Sequence, residues 1–514
     1  MGTDFSYIGK SIRRVDASAK VTGETRFLTD MSVDRMVFAY PVYSTIPYGK
    51  VKSIDLSRAE AVNGFIDVVF AHHIPGENQV GVIIQDQPVL ADEMVRYVGD
   101  TIGVVIAETE SAAQKIASLV HIEYEEFEPY LSIDASKAAT NNFFHKSNVT
   151  CSHKVDKGDI EKGFEQADFI IEETFRTPYQ EHFYLEPQGC IAIPEDDGTI
   201  TLYGSLQCPY YVQKAVANIL DLPLDKVRVI QAPTGGAFGG KEDIPSEVCA
   251  RAALAAIRVK RPVKMVYRRR DDVQMTSKRH PFQMHYKIGV TKEGKLISAD
   301  IQLEENAGAY ATLSSVVSYR AAMQSMGPYV IPNIRVKSTS YYTNLPPAGA
   351  FRGFGSPQAT FGHERIMDII AEKLGLDPVE FRLKNIVKLG DTTLTNHKLT
   401  ASVGAEETIR QARKAANWVE QRQNNNSSER YVEGMGIATS HYGNCLGAAG
   451  WSMDGAEVKI QIHPDGSITV AFGLIEMGQG ALTVVAQMTA DALGVSMDRI
   501  SVLTTDSRNV QDSG

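Results

Sequence analysis

Four glycines within six residues constrain this chain more than any other feature. Gly235, Gly236, Gly239 and Gly240 surround Ala237 and Phe238, and a charged triplet, Lys241, Glu242 and Asp243, follows. Glycine weakens any helix or strand interior, so such a cluster is read through what it permits. It permits positive φ angles and close approach of bare backbone N–H groups to a ligand, usually an anion. Gly235, four residues, Gly240 and Lys241 nearly make a P-loop, which needs Ser or Thr next to hold magnesium. Glu242 and Asp243 stand there instead and would repel phosphate oxygens. The pattern argues against a nucleotide hydrolase, and for a cradle around something else.

At 514 residues the chain exceeds one core and predicts about three domains. A net charge of −10 argues against nucleic acid or an anionic membrane as the main partner. The basic run at 258–270 is interleaved with Val259, Val263, Met265 and Val266, which predicts a strand with a solvated face. Cys151, Cys190, Cys208, Cys249 and Cys445 are too scattered for a CxxC pair, so no zinc site or iron–sulfur cluster is legible. The first ten residues lack the apolar core of a signal peptide, and no run reaches the ~18 apolar residues of a membrane span. These features predict a soluble, cytoplasmic protein.

The expected organisation is α+β: an arm at 1–20, a small domain at 21–133, a linker at 134–157, and a larger domain at 158–420. A second linker at 421–430, rich in Asn and Ser, precedes the start of a further, incomplete domain at 431–514. Strands are expected at 66–70, 102–106, 120–124 and 227–231, and helices at 110–119, 209–222, 248–257, 359–374 and 481–493. Hairpins are expected around Glu293-Gly294 and Asp465-Gly466, and Asp377, Pro378 and Glu380 read as a capping box. The glycine cluster therefore lies between a strand and a helix, where anions are held.

Three more stretches share its oddity. Phe351, Arg352, Gly353, Phe354 and Gly355 form one; Glu476, Met477, Gly478, Gln479 and Gly480, directly before a helix, form the second. The third, at 180–187, interleaves His182, Phe183, Tyr184 and Glu186. Each alone is also compatible with a tight turn packed by aromatics. Together, with Val21, Thr22, Gly23 and Glu24 near the start, they resemble the molybdenum-binding subunit of the xanthine dehydrogenase and aldehyde oxidase family.

That resemblance implies an N-terminal α/β hammerhead domain followed by molybdopterin-binding α+β domains. It implies molybdenum held by pterin dithiolene sulfurs, in the cytosine dinucleotide form usual for bacterial subunits, with no protein thiolate required. Gln207, Phe238 and Arg352 would line the metal's environment, and Gly236, Gln479 and Gly480 would contact the pterin. Glu242 and Arg320 match an acid and a guanidinium that face the substrate ring, and Phe354 matches one of two aromatics that sandwich it. The plain alternatives are a surface ion pair for Arg320 and a helix N-terminal charge for Glu242.

The implied reaction is hydroxylation of a purine (xanthine or hypoxanthine) or related N-heterocycle at an electron-poor carbon, using water. Electrons would pass to partner subunits carrying [2Fe–2S] clusters and FAD, for which this chain has no motif. Two departures stand out. Leu446 occupies the position of the second sandwiching aromatic, followed by Gly447 where purine oxidisers often have a hydroxyl residue, which weakens xanthine in particular. The segment that carries the family's general-base glutamate would lie beyond residue 514, so a separate C-terminal molybdopterin subunit is expected. An aldehyde oxidoreductase subunit and an inactive truncated fragment are the alternatives.

Overall fold

A computed structural model describes residues 5–140, 147–423, 430–443 and 455–512. Its largest element is a seven-stranded mixed sheet that draws strands from two distant parts of the chain. Val37–Tyr43 runs antiparallel to Thr101–Ala107, which in turn pairs with Phe65–Phe70. On its other side Val37–Tyr43 runs parallel to Val263–Val266, which continues through Gly189–Pro194 and Ile200–Gly204 to Val227–Gln231. Thr101–Ala107 is buried throughout, as a strand covered on both faces should be. Helices Pro209–Leu220 and Ile244–Val259 cover this sheet with Val212, Val216, Ile219, Val248 and Leu254 in its core.

This sheet crosses the expected boundary. The stretch at 134–157 is also no linker: it contains helix Ile133–Ala138 and strand Val149–Lys157. That strand is the edge of a five-stranded sheet that continues with Asn333–Tyr342, Leu296–Gly308, Phe282–Val290 and Phe169–Thr177. Its side chains, among them Thr150, Ser152, His153 and Lys154, are too polar to signal burial, which is normal for an edge. Helices Ser314–Met323 and Ser356–Lys373 pack on this second sheet, and Tyr286 ties them by donating to the carbonyls of Ser325 and Ala359.

The basic run also departs from expectation. Val263–Val266 is central, and Lys264, 8% exposed, donates to the carbonyls of Thr29 and Met31 at 2.8 and 3.0 Å. Asp377 caps helix Pro378–Asn385 as expected, while Glu380 pairs with Arg413. Helix Trp418–Gln423 runs into the expected 421–430 linker, whose residues 424–429 lie outside the described residues.

A third unit comprises Val458–Ile462, Ile468–Phe472 and Ile500–Val502 with helix Ala481–Leu493. The arm read at 1–20 straps this helix down. The N–H groups of Ser6, Tyr7 and Ile8 all donate to Asp491, and Gln487 donates to the carbonyls of Tyr7 and Lys10. Beyond the third strand the chain returns to the first sheet, where Gln231 N–H donates to the Thr505 carbonyl and Arg228 pairs with Asp506. No helix among the described residues is long and apolar enough to cross a membrane.

Candidate cofactor and substrate site

The glycine cluster forms a loop between Val227–Gln231 and helix Ile244–Val259, and its glycines are there for steric reasons. A Cβ on Gly240 would lie 2.6 Å from the Tyr184 ring and 2.8 Å from His182. Gly239 has φ +100°, and a Cβ there would sit 2.8 Å from the Ala350 carbonyl oxygen. Phe238 itself adopts a left-handed φ of 56°, which few L residues do, and is 45% exposed. A strained, exposed aromatic on a rigid loop suits a ligand-facing position.

The residues at 180–188 form the bed beneath this loop. Glu186 accepts from Gly235 N–H at 2.7 Å, from Ser205 at 2.6 Å and from the Lys241 ammonium at 3.2 Å. Lys241 is fully buried, so the lysine that suggested a P-loop is a structural cation, turned inward. Burial lowers its pKa, and Glu186 opposes that shift. Gln188 donates to the Tyr184 hydroxyl and to the Gly240 carbonyl, and Tyr184 donates to Asp272. His182 stacks on Phe351 at 4.1 Å, with Nε2 2.8 Å from the Ala350 carbonyl. Burial pushes its pKa down to about 3, so the ring is neutral and Nε2 carries the proton. Gln188 and Asp272 gave no signal in the sequence, whereas the composition at 180–187 did.

Gln207 and Arg352 join the same loop from opposite sides. Gln207 Oε1 accepts from the N–H of Gly239 at 2.9 Å, which fixes its carbonyl and aims its amide nitrogen away from that bond. Arg352 N–H donates to the Phe238 carbonyl at 3.0 Å, and its guanidinium is exposed, with no ion-pair partner among the described residues. The turn at 353–355 presses on helix Ser314–Met323: a Cβ on Gly355 would lie 2.5 Å from the Val317 carbonyl oxygen. Phe354, at φ 44°, and Arg320 therefore belong to one corner. Arg320 is 8% exposed, so it is no surface ion pair. It donates to the Gly443 carbonyl at 3.0 Å and lies 4.7 Å over the Tyr442 ring.

Glu242 follows the loop with no ion-pair partner among the described residues. Burial, and then the neighbouring Asp243 carboxylate, push its pKa up to about 8. Asp243 caps the helix through the Ile244 N–H, and burial raises it to about 7. The shift at Glu242 favours its neutral form, which is able to donate a hydrogen bond.

Gln479 and Gly480 reach the site through Gln231, which donates to the Glu476 carbonyl at 2.9 Å. In this conformation the N–H groups of Gly478 and Gly480 already donate to the Glu476 carboxylate, at 2.7 and 3.1 Å, and Arg14 pairs with it. Gln479 folds back onto its own loop through Met477 and Ile475. Leu446 and Gly447 lie outside the described residues.

Bare glycine backbone beneath an exposed Phe, an unpaired Arg and an oriented amide fit a large, flat, anionic cofactor. Known proteins agree with that class. Residues 22–128 match the aldehyde oxidase and xanthine dehydrogenase a/b hammerhead domain, and residues 142–386 and 411–514 match molybdopterin cofactor-binding domains. The chain is 40% identical over 417 residues to the nicotinate dehydrogenase large molybdopterin subunit of Eubacterium barkeri, covering 81% of this chain and 98% of that one. It is 36% identical to a probable xanthine dehydrogenase subunit of Bacillus subtilis, covering 98% of this chain and 66% of that protein. The aldehyde oxidoreductase from Desulfovibrio gigas superposes with a TM-score of 0.91 at 29% identity, over 98% of this chain and 57% of its own. The chain thus spans only part of the length of these last two proteins. It belongs to the xanthine dehydrogenase and aldehyde oxidase family of molybdenum hydroxylases.

Proposed function

We propose that this chain is a molybdopterin-binding component of an enzyme that hydroxylates an N-heterocycle, a purine or a related ring, at an electron-poor carbon. Glu242 carries the reading. A neutral carboxyl beside the cofactor loop can donate to a ring nitrogen or carbonyl, and an aldehyde has no need of that contact. Arg320 would stabilise negative charge as it gathers on the ring in the transition state. Phe354 would pack against the ring face.

Gln207 and Arg352 would hold the cofactor's polar groups, and the backbone of Gly236 and Gly480 its pterin; a cytosine dinucleotide form would add a pyrophosphate. Molybdopterin supplies two-electron oxidation with oxygen drawn from water. Iron–sulfur and FAD centres on partner subunits would take the electrons.

The names of the relatives include nicotinate, xanthine and aldehyde oxidation, so the substrate is tested directly. Expressed with its neighbouring genes, the complex should contain molybdenum, iron and flavin. It should reduce a dye with a purine or nicotinate as donor. Oxidation of aldehydes alone would overturn the roles given to Glu242 and Arg320, and a chain recovered without metal would overturn the proposal.

A further inference from the structure

Helix Ser314–Met323, which carries Arg320, starts from a strained turn. Thr312 has φ 40°, a left-handed value that a β-branched residue seldom takes, and its hydroxyl donates to the Ala348 carbonyl. Such a conformation persists only where neighbours over-determine it. Here those neighbours come from the hammerhead part of the chain. The Tyr310 hydroxyl donates to Asp100 at 2.7 Å. The Ala311 N–H donates to Asp86 Oδ2 at 2.9 Å, and the Tyr342 hydroxyl donates to the same oxygen at 2.8 Å. Asp86 and Asp100 are both buried, so these contacts lie out of water, where a hydrogen bond is stronger.

Asp86 sits on a short loop closed by an antiparallel bridge between Val80 and Gln87. The other side of that loop meets the helix that follows Glu242. Gln87, also buried, lies against the Glu247 carboxylate, which Arg251 holds at 2.8 Å. A pocket of about 330 Å³ remains between them, lined by Gln85, Asp243, Ser246 and Thr312. The loop is therefore a spacer. One side touches the helix behind Glu242 and the other grips the turn ahead of Arg320, the two groups proposed to face the substrate ring.

We infer that Asp86 is a positioning residue for the reaction: by holding the Ala311 N–H and the Tyr342 hydroxyl on one oxygen, it fixes where helix Ser314–Met323 begins and so aims Arg320 at the substrate. The inference rests on the roles given to Glu242 and Arg320 above. A guanidinium that stabilises transition-state charge works only if it is already in place, and a misplacement of ~1 Å can cost on the order of 100-fold in rate. Asp86 touches no substrate and acts through the turn. The hammerhead domain thus sets the spacing of the substrate groups from outside the molybdopterin-binding domains.

The test uses the complex isolated from cells expressing the chain with its neighbouring genes. Asp86→Ala should lower kcat on a purine at least ~30-fold while KM moves less than ~3-fold, because Arg320 acts mainly in the transition state. Asp86→Asn keeps an oxygen acceptor at the same reach and should return kcat to within ~3-fold of the parent. By hydrogen exchange the Ala311 amide should open at least ~10-fold faster in Asp86→Ala and at the parent rate in Asp86→Asn, with molybdenum per chain unchanged in both. Once Arg320→Ala is in place, adding Asp86→Ala should cost less than ~3-fold more, since the two act as one unit. If Asp86→Ala does not accumulate, Asp86→Ser, too short to reach the amide, takes its place in the same cycle. Full rate in Asp86→Ala, losses that multiply with those of Arg320→Ala, or a loss of molybdenum in place of rate would overturn the inference. A silent Arg320→Ala would instead overturn the functional reading, so the two fail separately.

Discussion

Glu242 sets function against stability within one side chain. A carboxyl whose folded pKa is raised destabilises the fold whenever it is ionised, so its cost begins above the unfolded value near 4.5 and grows until pH passes about 8. Glu242→Gln should therefore raise the melting temperature by a few degrees at pH 8.5 and change it little at pH 4.5. In activity the same acid works while protonated. The kcat/KM of the parent on an N-heterocycle should fall as pH rises through about 8, and Glu242→Gln should lose that limb along with much of the rate. At Gly239 the constraint is steric: Gly239→Ala should cost about 1–3 kcal/mol through its positive φ and the Ala350 carbonyl. Molybdenum per chain, measured by mass spectrometry, should drop with it. The sequence made the glycines legible because few other reasons exist for four of them together. It left the role of Lys241 unread, because its neighbours in sequence say nothing of Glu186, 55 positions away.

At the scale of elements, local signals held where an element is amphipathic and short of partners. Helices Glu110–Leu119 and Ala481–Leu493 and strand Val227–Gln231 lie at the bounds their periodicity and flanking residues predict. Pairings had no such signal. Val37 meets Val263 across a parallel ladder, and nothing local to either strand announces the other. Strand Val149–Lys157 reads as a linker because Thr150, Ser152, Lys154 and Asp156 alternate with Cys151, His153 and Val155, too few apolar residues to signal a strand. The glycine loop behaves as an element too, since Glu186 and Lys241 anchor its two ends. Lys241→Ala should lower stability by about 3–5 kcal/mol in urea unfolding at neutral pH, because it leaves Glu186 buried and unpaired. Replacing both with apolar residues should recover much of that loss.

Across the whole molecule, the first described residues hold helix Ala481–Leu493. Deleting residues 5–15 should speed backbone hydrogen exchange in that helix while leaving Ile244–Val259 protected. Asp491→Asn should do the same more mildly, since it keeps an acceptor for Ser6, Tyr7 and Ile8 but loses the charge. The strap also governs time. Ser6 and Asp491 are separated by 485 positions. At ~5–20 residues per second, the amides wait about half a minute to a minute and a half on the ribosome for their acceptor. Arg14 belongs to the same strap, and it grips both the Glu476 carboxylate and the Gly478 carbonyl. The first residues of the chain thus hold the 476–480 loop as well as the helix that follows it, and both contacts wait for the far end of the chain to be made.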